Sequence, residues 1–110
     1  MLLDDTVVAP DQVFKENLIF PILSTPWKIY LLLTIGTETV RFGTLRKALM
    51  SVSRVSVTKY LMELEKDGFL YRIEYPAPPL RTEYKLTPAG LRILPILQAL
   101  TAQGNNLSDS

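Results

Sequence analysis

The chain has 110 residues, 12 Lys and Arg against 11 Asp and Glu, an apolar share of 47%, and neither His nor Cys. Length and composition fit one globular domain rather than a disordered or multidomain chain. Without imidazole or thiol, the usual zinc sites, thiolate nucleophiles, disulfides and histidine bases are excluded within this sequence.

The remaining carboxylates, Lys, Ser, Thr and Tyr show no catalytic spacing, so neither an enzyme nor a cofactor is expected. The net charge of +1 conceals an uneven distribution. Residues 1–40 hold two bases (Lys15, Lys28) against five acids (Asp4, Asp5, Asp11, Glu16, Glu38), whereas residues 41–85 hold nine bases against five acids. Residues 86–110 balance, with Arg92 against Asp109.

Residues 1–24 read as an N-terminal arm or helix. The opening MLLDD places acids where a signal peptide needs cations. The apolar stretch from Leu18 to Ile35 is broken by Pro21, Ser24, Thr25, Pro26 and Lys28, so no run of about 18 apolar residues exists to span a membrane. A cytoplasmic protein with no membrane partner is the expectation.

Thr25-Pro26 is an N-cap followed by proline, predicting a helix through Ile35 that Gly36 stops. Trp27 and the aliphatics after it are expected in the core. Residues 41–50 place Phe42, Leu45, Ala48 and Leu49 at helical spacing, a short amphipathic helix. Ser53 caps a third helix with Val57, Leu61 and Leu64 on one face, closed by Asp67-Gly68. The short link at Ser51–Ser53 has helix-turn-helix spacing. Residues 69–75 and 81–86 then read as two strands around a proline-rich tip, PAPPL. Thr87-Pro88 repeats the cap-plus-proline signature and opens a last helix of about 16 residues.

This order predicts a mainly α fold with a small β-hairpin (α+β): a winged helix-turn-helix with extra N- and C-terminal dimerisation helices. One domain covers residues 1–110, with the DNA-binding core and wing at 25–86, the C-terminal dimerisation helix at 87–103 and a flexible tail at 104–110.

From Trp27 to about Leu100 the chain resembles the HxlR-type family of bacterial winged-helix regulators. The resemblance rests on the ordered set PWKIYLLL; Arg41-Phe42 followed by Leu45; Val57, Leu61 and Leu64 leading into Glu65-Lys66-Asp67-Gly68; and the wing YPAPPLRTEYKLTPAG. It implies a DNA-binding transcriptional regulator. Two departures stand out. Ser24-Thr25-Pro26 replace the family's usual Gly-Gly-Lys, and Phe14 occupies the position of the Cys that many members use for sensing. The family's thiol switch therefore does not carry over.

With Val57, Leu61 and Leu64 inward, the third helix points Val55, Thr58, Lys59 and Met62 outward. Its acids, Glu63, Glu65 and Asp67, lie in its C-terminal half, leaving the leading end fit to enter a major groove. Ser53, Arg54, Val55, Thr58 and Lys59 are the expected base-reading set. Arg41, Arg46 and Lys47 are candidates for phosphate contacts, and Arg72, Arg81 and Lys85 for wing contacts with backbone or minor groove.

The last helix is apolar nearly all round, as is the segment around Leu18–Leu23, and a domain this small cannot enclose both. Ile19, Phe20, Ile22, Leu23, Leu94, Leu97 and Leu100 are therefore expected at a homodimer interface, suited to a pseudo-palindromic double-stranded DNA operator. Two alternatives remain open: a winged-helix protein-interaction module that never touches DNA, and a regulator gated by a small apolar effector at the dimer interface.

Overall fold

The computed structural model describes Ile22 and residues 24–109, with side chains described at Ile22 and residues 24–102. Helix α1, Pro26–Ile35, starts on a proline whose fixed φ suits the first turn. It stops at Gly36, where φ is 57° and the amide donates to the Leu32 carbonyl. Lys28, Leu31, Leu32 and Ile35 form its buried stripe. Trp27 stands about 90° from the centre of that stripe at 100° per residue. It is 37% exposed and meets Tyr30 edge-on at 6.3 Å between ring centroids. The expected core position for Trp27 is thus corrected.

The helix expected over 41–50 is preceded by a strand that the sequence does not announce. Strand β1, Val40–Arg41, pairs with Tyr84 and Glu83, so Arg41 is extended and helix α2 covers only Phe42–Ala48. Helix α3, Arg54–Lys66, begins as expected: the Ser53 hydroxyl accepts the Ser56 amide at 3.1 Å. Its end is a Schellman motif. The Phe69 amide donates to the Leu64 carbonyl and the Gly68 amide to the Glu65 carbonyl, with Gly68 at φ 89°. Val57, Leu61 and Leu64 are fully buried, as their spacing requires.

Strands β2, Leu70–Tyr75, and β3, Arg81–Leu86, pair antiparallel from Leu70↔Leu86 to Tyr75↔Arg81. With β1 they make a three-stranded sheet of order β1-β3-β2, not the two-stranded hairpin expected. On β3, Tyr84 and Leu86 face the core.

Thr87 joins the sheet to helix α4, Pro88–Asp109. Its hydroxyl donates to the Gly68 carbonyl and accepts the Gly90 amide, while its own amide donates to the Phe69 carbonyl. Helix α4 is 22 residues long and so continues through the segment expected as a tail. It packs against α1, and Leu94 and Leu97 lie in the chain's own core together with Ile22. Three positions of the expected dimer interface are thus buried within the chain's own core. Leu100 is exposed, and Ile19, Phe20 and Leu23 lie outside the described residues. Among the described residues no helix is long and apolar enough to cross a membrane.

One ion pair crosses the core edge. Lys28 on α1, 5% exposed, meets Glu63 on α3 at 2.7 Å. The hydrogen bond from Lys28 holds the Glu63 carboxyl below its ordinary value, against the opposing effect of desolvation. A carboxylate depressed in the folded state adds stability above its unfolded pKa and loses it as pH falls through the folded value. Glu63→Gln is therefore expected to lower the melting temperature at neutral pH, with the gap to the parent closing in acid below the usual carboxylate range. Thermal melts across pH check this; a gap constant with pH refutes it.

A Cβ at Gly90 would sit 2.5 Å from the Phe69 carbonyl oxygen and 3.2 Å from Leu86 Cβ. Gly90→Ala, normally favourable within a helix, is expected to destabilise the fold by about 1–3 kcal/mol. Chemical denaturation measures it.

Candidate nucleic-acid interface

The N-terminal ends of α2 and α3 and the outer half of the β2–β3 wing enclose an open groove of about 1030 Å³. Arg41, Lys47, Arg54, Thr58, Arg72 and Arg81 all line it, six of the eleven residues expected to contact DNA. These six come from β1, α2, α3, β2 and β3, and the fold alone brings them together. Phe42, Thr44, Tyr75 and Leu80 complete the walls.

Each side chain is set by its element. Arg54 is the first residue of α3, and its guanidinium lies 4.9 Å from the centre of the Phe42 ring. Within the interior-facing pattern of α3, Val55, Thr58 and Lys59 turn to solvent, Val55 at 79% exposed. Lys47 is exposed near the end of α2. Arg41 and Arg81, on the neighbouring strands β1 and β3, both approach Glu83 Oε2, at 3.7 and 3.4 Å. Arg81 also stacks on the Tyr75 ring, 3.9 Å from its centre. Arg72 pairs with Glu74 two residues along the same strand face. The nearby Tyr84 hydroxyl leads the effects that stabilise the charge of Arg72.

The other expected contacts lie elsewhere. The Ser53 hydroxyl is engaged as the α3 cap. Arg46 is half-buried and donates to the Leu49 carbonyl at 3.4 Å, at the end of α2. Lys85 is exposed on β3 opposite Tyr71 and does not line the groove, and neither do Val55 and Lys59.

Electrostatically the groove divides in two. Arg41, Arg72 and Arg81 have acids beside them, whereas Lys47 and Arg54 form no ion pair among the described residues. Burial pushes the Tyr84 hydroxyl up, with Arg72 opposing. Tyr75 is pushed up because its O–H donates to Glu83 Oε1 at 2.9 Å. Sequence reasoning passed over Glu83 as a site residue. The signal lay in the spacing Arg81-x-Glu83, which puts both side chains on one face of a strand.

A three-stranded wing behind a helix-turn-helix, with a cationic groove between the wing and the second helix of that motif, defines a winged helix-turn-helix protein. A family model for the HxlR-like helix-turn-helix matches residues 22–110, and the chain belongs to that family. It is 37% identical over 78 residues to the uncharacterized HTH-type transcriptional regulator YtfH of Escherichia coli K12, an alignment covering 71% of this chain and 62% of that relative's length. Among solved structures, a transcriptional regulator of the MarR family from Enterococcus faecalis V583 superposes with a TM-score of 0.76 at 30% identity, covering 94% of each chain. The redox regulator HypR in its oxidized form gives a TM-score of 0.69 at 31% identity, over 73% of this chain and 82% of the other.

Proposed function

We propose that this chain is a sequence-specific, double-stranded DNA-binding transcriptional regulator that acts as a homodimer. The observation that carries this reading is the groove, where five cationic side chains and Thr58 converge beside the acid-free leading half of α3. Helix α3 enters the major groove N-terminus first, Arg54 donates to a guanine edge, and Thr58 and Val55 meet neighbouring bases. Lys47, Arg41 and Arg81 hold the flanking phosphates, which sets position and affinity rather than sequence.

The homodimer is supported by apolar surface that one chain leaves uncovered. Ile96 and Leu100 are about half exposed. With the partly buried Ile93 they fall within about 60° of one another at 100° per residue, a stripe that flanks the buried Leu94 and Leu97. Two copies joined there present two α3 helices to half-sites roughly 34 Å apart on a pseudo-palindromic operator. Because these 110 residues contain no Cys, any signal acts without a thiol switch in this segment.

Selection of bound fragments from the host genome, followed by fluorescence anisotropy on the enriched duplex, tests the reading. Affinity is expected to fall with salt at a log–log slope near −0.9 per neutralised phosphate. Arg54→Ala is expected to cost about 1–3 kcal/mol on the selected site and to relax its sequence preference. A dimer that enriches no DNA identifies the protein-interaction module instead.

A further inference from the structure

We propose that Glu83, an acid at the edge of a DNA-binding groove, is a positioning residue that presets Arg41 and Arg81 as a clamp for one backbone phosphate. This rests on the DNA-binding reading above and goes further by assigning a role to a residue of the wrong charge. A carboxylate close to a polyanion repels it, so on simple electrostatics Glu83 weakens binding.

Its surroundings give it another role. The Glu83 side chain is 16% exposed and sits behind the groove, while Arg41, Tyr75 and Arg81 line it. Both arginines reach the same oxygen, Oε2, through Nε. Contact through Nε leaves the terminal amino groups of each guanidinium available to a second acceptor. The other oxygen, Oε1, accepts the Tyr75 hydroxyl, so the carboxylate is itself held in orientation. Tyr75 supports Arg81 from its ring face, and the buried Arg81 Nε has no hydrogen-bond partner beyond its 3.4 Å approach to Glu83 Oε2 as an ion pair.

Stability does not account for the Arg41 contact, because Arg41 is 65% exposed and a pair with so exposed a partner contributes little. Two long, flexible side chains from adjacent strands are instead fixed before DNA arrives, which lowers the ordering cost of binding. A phosphate has the charge and the several acceptor oxygens to bridge both guanidinium ends.

The test reads the sign of one substitution. Phosphate contacts are independent of sequence, so the probe is a labelled mixed-sequence duplex of about 30 base pairs, titrated with the full chain at low salt. Glu83→Gln removes a negative charge and on charge alone tightens binding. If Glu83 positions the arginines, it weakens binding instead, by roughly three- to tenfold. In the Arg41→Ala/Arg81→Ala background nothing remains to position, and the same substitution no longer weakens binding.

Equal or tighter binding by Glu83→Gln in the parent overturns the proposal, as does an equal weakening in both backgrounds, the mark of a structural role. If Glu83→Gln melts below the assay temperature, Tyr75→Phe takes its place. It keeps the ring beneath Arg81 and removes the hydroxyl that orients Glu83, so weaker binding supports the clamp and unchanged binding overturns it. A parent chain that shows no salt-dependent binding to the duplex overturns the DNA-binding reading itself, and the clamp falls with it. A parent that binds while Glu83→Gln binds equally well removes the clamp alone.

Discussion

The wing is held at its base by one threonine. The Thr87 hydroxyl donates to the Gly68 carbonyl and accepts the Gly90 amide, and the Thr87 amide reaches the Phe69 carbonyl. One residue therefore ties together the end of α3, the root of both long strands and the first turn of α4. Each partner needs its own backbone freedom. Gly68 takes a left-handed φ to close the helix, and Gly90 lacks a Cβ because the Phe69 carbonyl occupies that space. With the root fixed, the hairpin has a defined angle to α3, and the groove between them keeps its width.

Gathering five cations in one groove has an electrostatic cost while the groove holds no DNA. Glu74 and Glu83 offset much of it. Both acids belong to strands, which places them beside the arginines of the wing and leaves α3's leading end clear. Exposed ion pairs contribute only about 0–1 kcal/mol each, so the Arg72–Glu74 pair separates at small cost. Arg54 is handled differently. Its partner is the Phe42 ring, which supports the guanidinium from one face without occupying its donors. The hydrogen-bonding edge of Arg54 stays open toward the groove.

Local chemistry explains which parts were legible in the sequence. The starts and stops of α1 and α3 were readable because Pro26, Gly36, Ser53 and Gly68 act within their own turns, although the Thr25 side chain makes no capping bond, and the β2–β3 hairpin was readable from its proline tip. Strand β1 was not, since two residues carry no period and Arg41 is extended only through its pairing with Glu83. The cationic candidates were found by type, but their sorting into groove and periphery depends on tertiary placement. Arg46 turned to its own helix end, and Lys85 fell at the root of the hairpin, opposite Tyr71. Likewise Lys28 and Glu63 are far apart in sequence, and no local pattern pairs them. The Arg-x-Glu spacing of the wing, by contrast, was available to sequence reading and marks the ion pairs of both long strands.

The apolar circumference of α4 has a divided explanation. A small domain cannot surround a helix, yet it can cover one side of it, and here Leu94 and Leu97 dock in the core alongside α1. Among the described residues, Leu91, Ile96 and Leu100 stay exposed on the outer side of α4. This division matters mechanically. Because α4 is fixed to the sheet root through Thr87 and to α1 through its buried side, its outer face has a set orientation relative to α3. A second copy seated on that face would inherit the same reference, so the spacing of two α3 helices would follow from the packing of each chain alone. Any perturbation that rotates α4 about its Thr87 anchor would alter that spacing without touching a residue of the groove.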